Sequence, residues 1–255
     1  VAKKPDWVIR KEKEGAATVW LFGLHAVRDA LANQARVKKR LIVTKNAFDR
    51  LKEVIEPSGI VPEIADPRKF PAPIDPESVH QGAALEVKPL DWGALKSLVP
   101  DGPAVVLLLD RVTDPHNVGA ILRSAEVFGA SAVIAPARHS APETGALAKS
   151  ASGALERQPY LRVTNLSQAM EELKGLGFQV VGLDGTAETM LEDALDRAGP
   201  RVALVLGAEG PGMRDKTSAT CDLLARIPFS GAFGSLNVSN AAAVALYASG
   251  RRRME

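Results

Sequence analysis

AVVLLLDRVTDPHNVGAILRSAEVFGASAVIA, Ala104 to Ala135, decides the fold. Its opening run to Leu109 is wholly apolar and closes on Asp110, the pattern of a strand covered on both faces. Asp114, Pro115 and Asn117 then set a turn, and a helical stretch from about Val118 leads through Gly129 to a second apolar run, Ser131 to Ala135. Strand, helix and strand within about 30 residues make a unit of parallel sheet. FQVVGLD (Phe178 to Asp184) and RVALVLG (Arg201 to Gly207) repeat the buried-strand pattern, with helix-like segments between them. The expected class is therefore α/β, with a doubly covered parallel sheet whose ligands sit beyond the carboxyl ends of its strands.

Upstream the pattern is shorter and more polar. GLHAVRDALAN (Gly23 to Asn33), KRLIVTK (Lys39 to Lys45), FDRLKEVIE (Phe48 to Glu56) and AALEV (Ala83 to Val87) read as a small α/β domain over residues 17–90. Before it, residues 1–16 mix Lys3, Lys4, Arg10, Lys11 and Lys13 with acids and read as a mobile basic arm. Pro89, Pro100, Gly102 and Pro103 surround DWGALKSLV and mark residues 91–102 as a connection. The larger domain then takes residues 103–255.

At 255 residues and 46% hydrophobic, the chain can bury two cores. A net charge of +2 neither requires nor excludes a polyanionic partner, because local basic clusters matter more than the sum. The single Cys221 excludes an internal disulfide and suits a reducing compartment, and four scattered histidines suggest no metal site. No apolar run approaches the roughly 18 residues that span a bilayer, so a cytoplasmic location without membrane contact is expected.

Three elements at strand ends carry the candidate chemistry. In DPHNVGAILRSAEVFG (Asp114 to Gly129), Gly119 and Arg123 lie four apart, so Arg123 can reach a phosphate or carboxylate approaching there; taken alone, the element reads more simply as a capped helix with a surface arginine. LVLGAEGPG (Leu204 to Gly212) places Glu209 among glycines, which suits a sugar-bearing or cationic ligand, or a tight turn with an exposed glutamate. It is neither a dinucleotide fingerprint nor a Walker loop. In ARIPFSGAFGSLN (Ala225 to Asn237), Ile227 and Pro228 end a short strand. Ser235, Asn237, Ser239 and Asn240 then precede the apolar run Ala241 to Tyr247, more small polar groups than one helix cap needs.

In order, spacing and residue type, Asn117-x-Gly119 with Arg123, Gly207-x-Glu209-Gly210-x-Gly212, and Ile227-Pro228 through Ser235-Leu236-Asn237-Val238-Ser239 resemble the three motifs of the SpoU/TrmH ribose methyltransferases of the SPOUT superfamily. The resemblance continues through GALERQPYLRVTNL (Gly153 to Leu166) and HQGAALEV (His80 to Val87). It covers the chain from about Val19, and is strongest to the subgroup that methylates a guanosine ribose in bacterial large-subunit rRNA. It implies methyl transfer from S-adenosylmethionine to a ribose 2′-hydroxyl of 23S rRNA, a carboxyl-terminal trefoil knot that no periodicity reveals, and a homodimer through that region.

By the same resemblance Arg123 is central, orienting substrate phosphate and hydroxyl, since a guanidinium is a poor base. Asn117, Glu209, Ser235 and Asn237 complete the site, while Gly207, Ile227, Leu236, Leu183 and Ala208 contact the cofactor. The amino-terminal unit looks like the RNA-recognition domain of this subgroup. There Arg36, Lys38, Lys39 and Arg40 are candidates for backbone phosphates, or simply a solvated helix end, with His25 and Arg28 beside them. Asn240 departs from the small or β-branched apolar residue of many relatives, and Phe233 alters the loop before it. A tRNA substrate and a catalytically idle RNA-binding or ribosome-assembly factor are the alternative readings.

Overall fold

The computed structural model describes residues 18–75, 77–230 and 236–251. The amino-terminal arm, Phe233 and Ser235 lie outside the described residues.

In chain order the elements are β1 (Val19–Phe22), α1 (Leu24–Ala32), β2 (Lys38–Val43), α2 (Lys45–Ser58), β3 (Pro62–Ile64), β4 (Ala83–Val87), α3 (Leu95–Leu98), β5 (Ala104–Asp110), α4 (Pro115–Val127), β6 (Ala132–Pro136), α5 (Gly145–Ala151), β7 (Tyr160–Val163), α6 (Leu166–Gly175), β8 (Gln179–Leu183), α7 (Leu191–Ala198), β9 (Arg201–Gly207), α8 (Asp215–Thr220), β10 (Leu223–Ala225) and α9 (Val238–Arg251). They form two compact units, Val1–Asp91 with Glu143–Glu156, and Trp92–Pro142 with Arg157–Glu255.

The first unit has a four-stranded sheet in the order β1-β4-β2-β3, antiparallel except for the parallel β2–β3 pair. Leu24, Val27 and Leu31 fall on one stripe of α1 and are buried, as are Leu51 and Ile55 of α2, giving the sheet its apolar cover. Thr44 caps α2 by accepting from the Ala47 N–H, and Gly59 ends it in left-handed backbone.

One segment departs from the sequence partition. Glu143–Glu156 lies inside the stretch read as the larger domain, yet it packs in the first unit. Gly145 explains part of this, because a Cβ there would run into the Phe22 ring and the Trp20 carbonyl of β1. Charge explains the rest: Arg36, 2% exposed, pairs with both Glu143 and Glu156.

The second unit is the expected parallel sheet, six strands in the order β10-β8-β9-β5-β6-β7. β5 is buried along its whole length. Residues expected as a connection contribute here too, with Leu95 in the core and Trp92, Leu98 and Val99 packed against it. Helix α4 starts three residues before the expected Val118, because Pro115 suits the first helical position and Asp114 Oδ1 accepts from the His116 N–H at 2.9 Å. β10 stops at Ala225, so Ile227 and Pro228 lie beyond the strand they were expected to end.

Topology positions the site. The chain builds β5, β6 and β7 outward on one side and returns to the other for β8, so that β9 is laid between β8 and β5. Asp110 and Gly207, the last residues of β5 and β9, are register partners. The direction of progress reverses there, and such a reversal opens a crevice at the carboxyl ends.

Candidate active site

Glu209 follows β9, Asn117 lies in the first turn of α4, and Asn237 immediately precedes α9. The fold brings these side chains from three separate places into one hydrogen-bonded cluster. Asn237 Nδ2 donates to Glu209 Oε1 at 2.6 Å and to Asn117 Oδ1 at 3.0 Å, and Asn117 Nδ2 donates to the same Glu209 oxygen at 3.4 Å. The Val238 N–H at the start of α9 also points to Glu209 Oε1, at 3.3 Å.

The orientation of Asn237 is forced. Its Oδ1 accepts from the Ser239 N–H at 2.9 Å and the Ser239 hydroxyl at 2.5 Å, which leaves Nδ2 to face Glu209 and Asn117. Every polar valence of the Asn237 amide is thereby used, whereas Glu209 Oε2 has no hydrogen-bond partner among the described residues. A carboxylate with one oxygen clamped and the other open can accept a proton or a hydroxyl hydrogen bond from a ligand.

Beside this cluster lies a cavity of about 700 Å³ at the carboxyl ends of β8 and β9. All five residues assigned to the cofactor line it: Leu183, Gly207, Ala208, Ile227 and Leu236. Val238 and Leu206 add apolar wall, while the turn from Gly207 to Gly212 presents backbone groups. Gly207 is required, since a Cβ would collide with the backbone of Gly212 and Met213. The turn closes on itself through the Gly212 N–H donating to the Ala208 carbonyl at 2.9 Å.

The sequence reading did not anticipate what holds the end of that turn. Asp110, fully buried, accepts from the Arg214 backbone N–H at 2.9 Å and from its guanidinium at 2.8 and 2.7 Å. A charged residue ending an otherwise apolar strand was the available signal.

Arg123 is exposed on α4, with no hydrogen-bond or ion-pair partner among the described residues. Gly119, expected to admit a ligand beside it, is instead buried.

The basic segment of the first unit is neither a helix end nor a uniform phosphate surface. It enters β2, and Arg36 is corrected outright: its guanidinium is buried between Glu156, at 2.6 Å, and Glu143. Burial pulls against that charge, but the hydrogen bond to Glu156 and the two carboxylates hold its pKa above the ordinary value. Burial raises the Glu143 pKa in spite of Arg36. Lys38 donates to the Asn33 carbonyl at 2.7 Å, and burial lowers its pKa. Arg40 forms a two-pronged pair with Glu63 at 2.6 and 2.8 Å. Lys39, His25 and Arg28 remain exposed, Arg28 donating to the Arg50 carbonyl at 3.4 Å.

Among the described residues no group of three or more His, Cys, Asp or Glu is placed to hold a metal ion, and no helix is long and apolar enough to cross a membrane.

The model of the SpoU rRNA methylase family matches residues 104–247, more than half of the chain and all three strand-end elements. The chain belongs to the SpoU rRNA methylase family. A second model, for the RNA 2′-O ribose methyltransferase substrate-binding domain, matches residues 20–92 of this SpoU chain. The SpoU chain is 41% identical over 241 residues to the 23S rRNA (guanosine-2′-O-)-methyltransferase RlmB of Coxiella burnetii, covering 91% of this chain and 95% of that one. It is 38% identical over 242 residues to the protein of the same name from Escherichia coli, covering 91% and 98%. Among solved structures, the SpoU methyltransferase AviRb of Streptomyces viridochromogenes, in complex with AdoMet, has the same fold. Its TM-score is 0.81 at 23% identity, over 96% of this chain and 94% of that one.

Proposed function

We propose that this protein transfers a methyl group from S-adenosylmethionine to a ribose 2′-hydroxyl of 23S rRNA, on a guanosine. The observation that carries the reading is the Asn117–Glu209–Asn237 cluster at the rim of a cavity of about 700 Å³. The names of the full-length relatives at about 40% identity supply the substrate.

The residues present fit S-adenosylmethionine. The cavity volume lies in the range of small-molecule sites, apolar Leu183, Ile227 and Leu236 suit an adenine ring, and the turn after Gly207 offers backbone donors and acceptors. When bound, the cofactor supplies an electrophilic methyl sulfonium. The protein's own task is to bring a poorly nucleophilic hydroxyl into line with that methyl and to accommodate its proton. Glu209 Oε2 is the open acceptor for the hydroxyl hydrogen, with Asn117 and Asn237 holding the carboxylate in place. Arg123, permanently charged and exposed, binds the phosphate next to the ribose and orients it. Ser235 joins this set by the family motif alone.

The small unit binds the RNA, in keeping with the domain it matches. A homodimer through the carboxyl-terminal region fits the exposed apolar groups of α4 and α9. Val127 is 71% exposed and Tyr247 57%, and Tyr247 meets Phe128 edge to face at 6.0 Å. A cytoplasmic site of action accords with an rRNA substrate.

Transfer of labelled methyl from S-adenosylmethionine to undermethylated 23S rRNA and to tRNA, assayed separately, tests the reading. Transfer to 23S rRNA alone is expected. Transfer to tRNA alone, or to neither with calorimetry showing no cofactor binding, overturns it.

A further inference from the structure

The carboxyl end of the six-stranded sheet carries both signs of charge, with Arg214 after β9 and Arg226 after β10. On its β8–β9 side the loop after β8 carries Asp184 and the exposed Glu188. On the β5–β6–β7 side Arg111 follows β5, Arg138 and His139 follow β6, and Arg162 lies within β7, all exposed. The Asn117–Glu209–Asn237 cluster stands between the two.

The basic side is built rather than incidental. The Ala141 N–H donates to the Val112 carbonyl at 3.3 Å, linking the loop after β6 to the loop after β5. The Tyr160 hydroxyl donates to the Ala141 carbonyl at 2.8 Å, the Ser140 hydroxyl donates to the Pro136 carbonyl, and Arg162 donates to the Ala137 carbonyl. Ser140 and Ala141 are buried, so Arg138 and His139 are the outward crest of an anchored loop.

Arg111 and His139 hold left-handed backbone, at φ 64 and 60°, two of the four described non-glycine residues that do so. Such conformations are uncommon for non-glycine residues, histidine being among the more tolerant, and that of Arg111 persists where the surroundings enforce it, often at functional sites. Among the described residues Arg111, Arg138 and His139 have no hydrogen-bond or ion-pair partner. By contrast Arg214, at the same end of the sheet, is tied to Asp110. The nearest acid in sequence, Asp110, is bound to Arg214, Asp114 accepts from the His116 N–H, and one oxygen of Glu209 is held by three donors.

We infer that Arg111 and Arg138, with His139, form a track for the phosphodiester backbone of the RNA flanking the reacting ribose. This rests on the ribose-methylation reading of the adjoining site. An RNA chain presenting its 2′-hydroxyl to Glu209 must pass along one side of the cluster. The cofactor cavity takes up the β8–β9 side, whereas the exposed Arg111, Arg138 and His139 leave the other open to phosphates.

Arg111→Gly removes the side chain while suiting the left-handed backbone, so it should not disturb folding. Arg138→Ala removes the second cation. Filter binding of undermethylated 23S rRNA across a salt series reads the track directly. For the double variant, the slope of log affinity against log salt is expected to shrink by about 0.7–0.9 per lost phosphate contact, with affinity falling about tenfold or more. Cofactor affinity, measured by calorimetry, is expected to stay at the wild-type value.

An unchanged slope and affinity in the double variant, while the wild type binds and methylates the rRNA, overturns the track alone and leaves these cations for an acidic protein partner. Failure of the wild type to bind or methylate any RNA overturns the track together with the reading on which it rests.

Discussion

Asn237 Nδ2 lies 2.6 Å from Glu209 Oε1 and joins the start of α9 to the turn after β9. Two residues 28 positions apart thus fix one carboxylate oxygen and leave its mate open to a ligand. Water screens the charge of this exposed carboxylate, and a glutamine oxygen still accepts from the same donors, so replacing the charge should be felt mainly in the chemistry. Glu209→Gln is expected to slow single-turnover methyl transfer about 10–100-fold, with thermal stability nearly unchanged because the side chain is exposed. An equal rate in the variant would remove Glu209 from the reaction.

Gly207→Ala places a methyl against the backbone of Gly212 and Met213, so the turn lining the cavity must move. Displacements of about 1 Å near a reacting centre can cost about 100-fold. Single-turnover methyl transfer should slow to about that extent and calorimetric titration should show weaker S-adenosylmethionine binding, while the circular dichroism spectrum stays native.

Arg214→Ala releases the far end of the same turn from Asp110 and leaves a buried carboxylate without its cation. Breaking a buried pair in this way costs about 3–5 kcal/mol. Because the Arg214 side chain is itself 45% exposed, water offsets part of that, and a loss of about 1–3 kcal/mol in urea unfolding is expected. Cofactor affinity should fall in parallel.

In the first unit, Arg36→Met strips the counter-charge from Glu143 and Glu156 and should destabilise by about 3–5 kcal/mol. Adding Glu143→Gln and Glu156→Gln should recover much of the loss. The Glu143 pKa is raised by burial, so the folded form holds its proton at pH values where the unfolded chain has released it. Stability from this group therefore falls as pH rises above the ordinary glutamate range. In thermal melts, Glu143→Gln should gain on the wild type as pH rises above the ordinary glutamate range; an opposite trend would contradict the assignment.

Burial pushes the Cys221 thiol up to about 12. At pH 8 only about 1 in 10,000 such groups is ionised, against roughly a quarter of free thiols. Labelling of the native protein with a thiol reagent should accordingly be slower than in denaturant by about 1,000-fold, and should accelerate tenfold per pH unit. The raised value also makes stability fall above about pH 8.5, where only the unfolded thiol ionises.

The parallel sheet was legible because its strands are apolar without interruption: Ala104 to Leu109 has no polar face, and that pattern admits few alternatives. The residues that the family resemblance implied for the cofactor line one cavity because Gly207 and Leu183 end such strands. Arg36 was misread for the same reason that Asp110 and Arg214 were missed. Charge alone does not distinguish a guanidinium that faces water from one that is buried against carboxylates 107 and 120 positions away. The placement of Glu143–Glu156 in the first unit likewise depends on a contact between Gly145 and Phe22 that no local pattern encodes.

The most direct measurement of the central claim is nucleoside analysis of 23S rRNA methylated in vitro, with the wild type and Arg123→Ala compared at equal cofactor saturation. The account predicts 2′-O-methylguanosine from the wild type, a loss of about 100-fold or more in the variant, and unchanged cofactor affinity, as expected when a group acts on the transition state and not on cofactor binding. A methyl group found on a base, or full activity in Arg123→Ala, would contradict it.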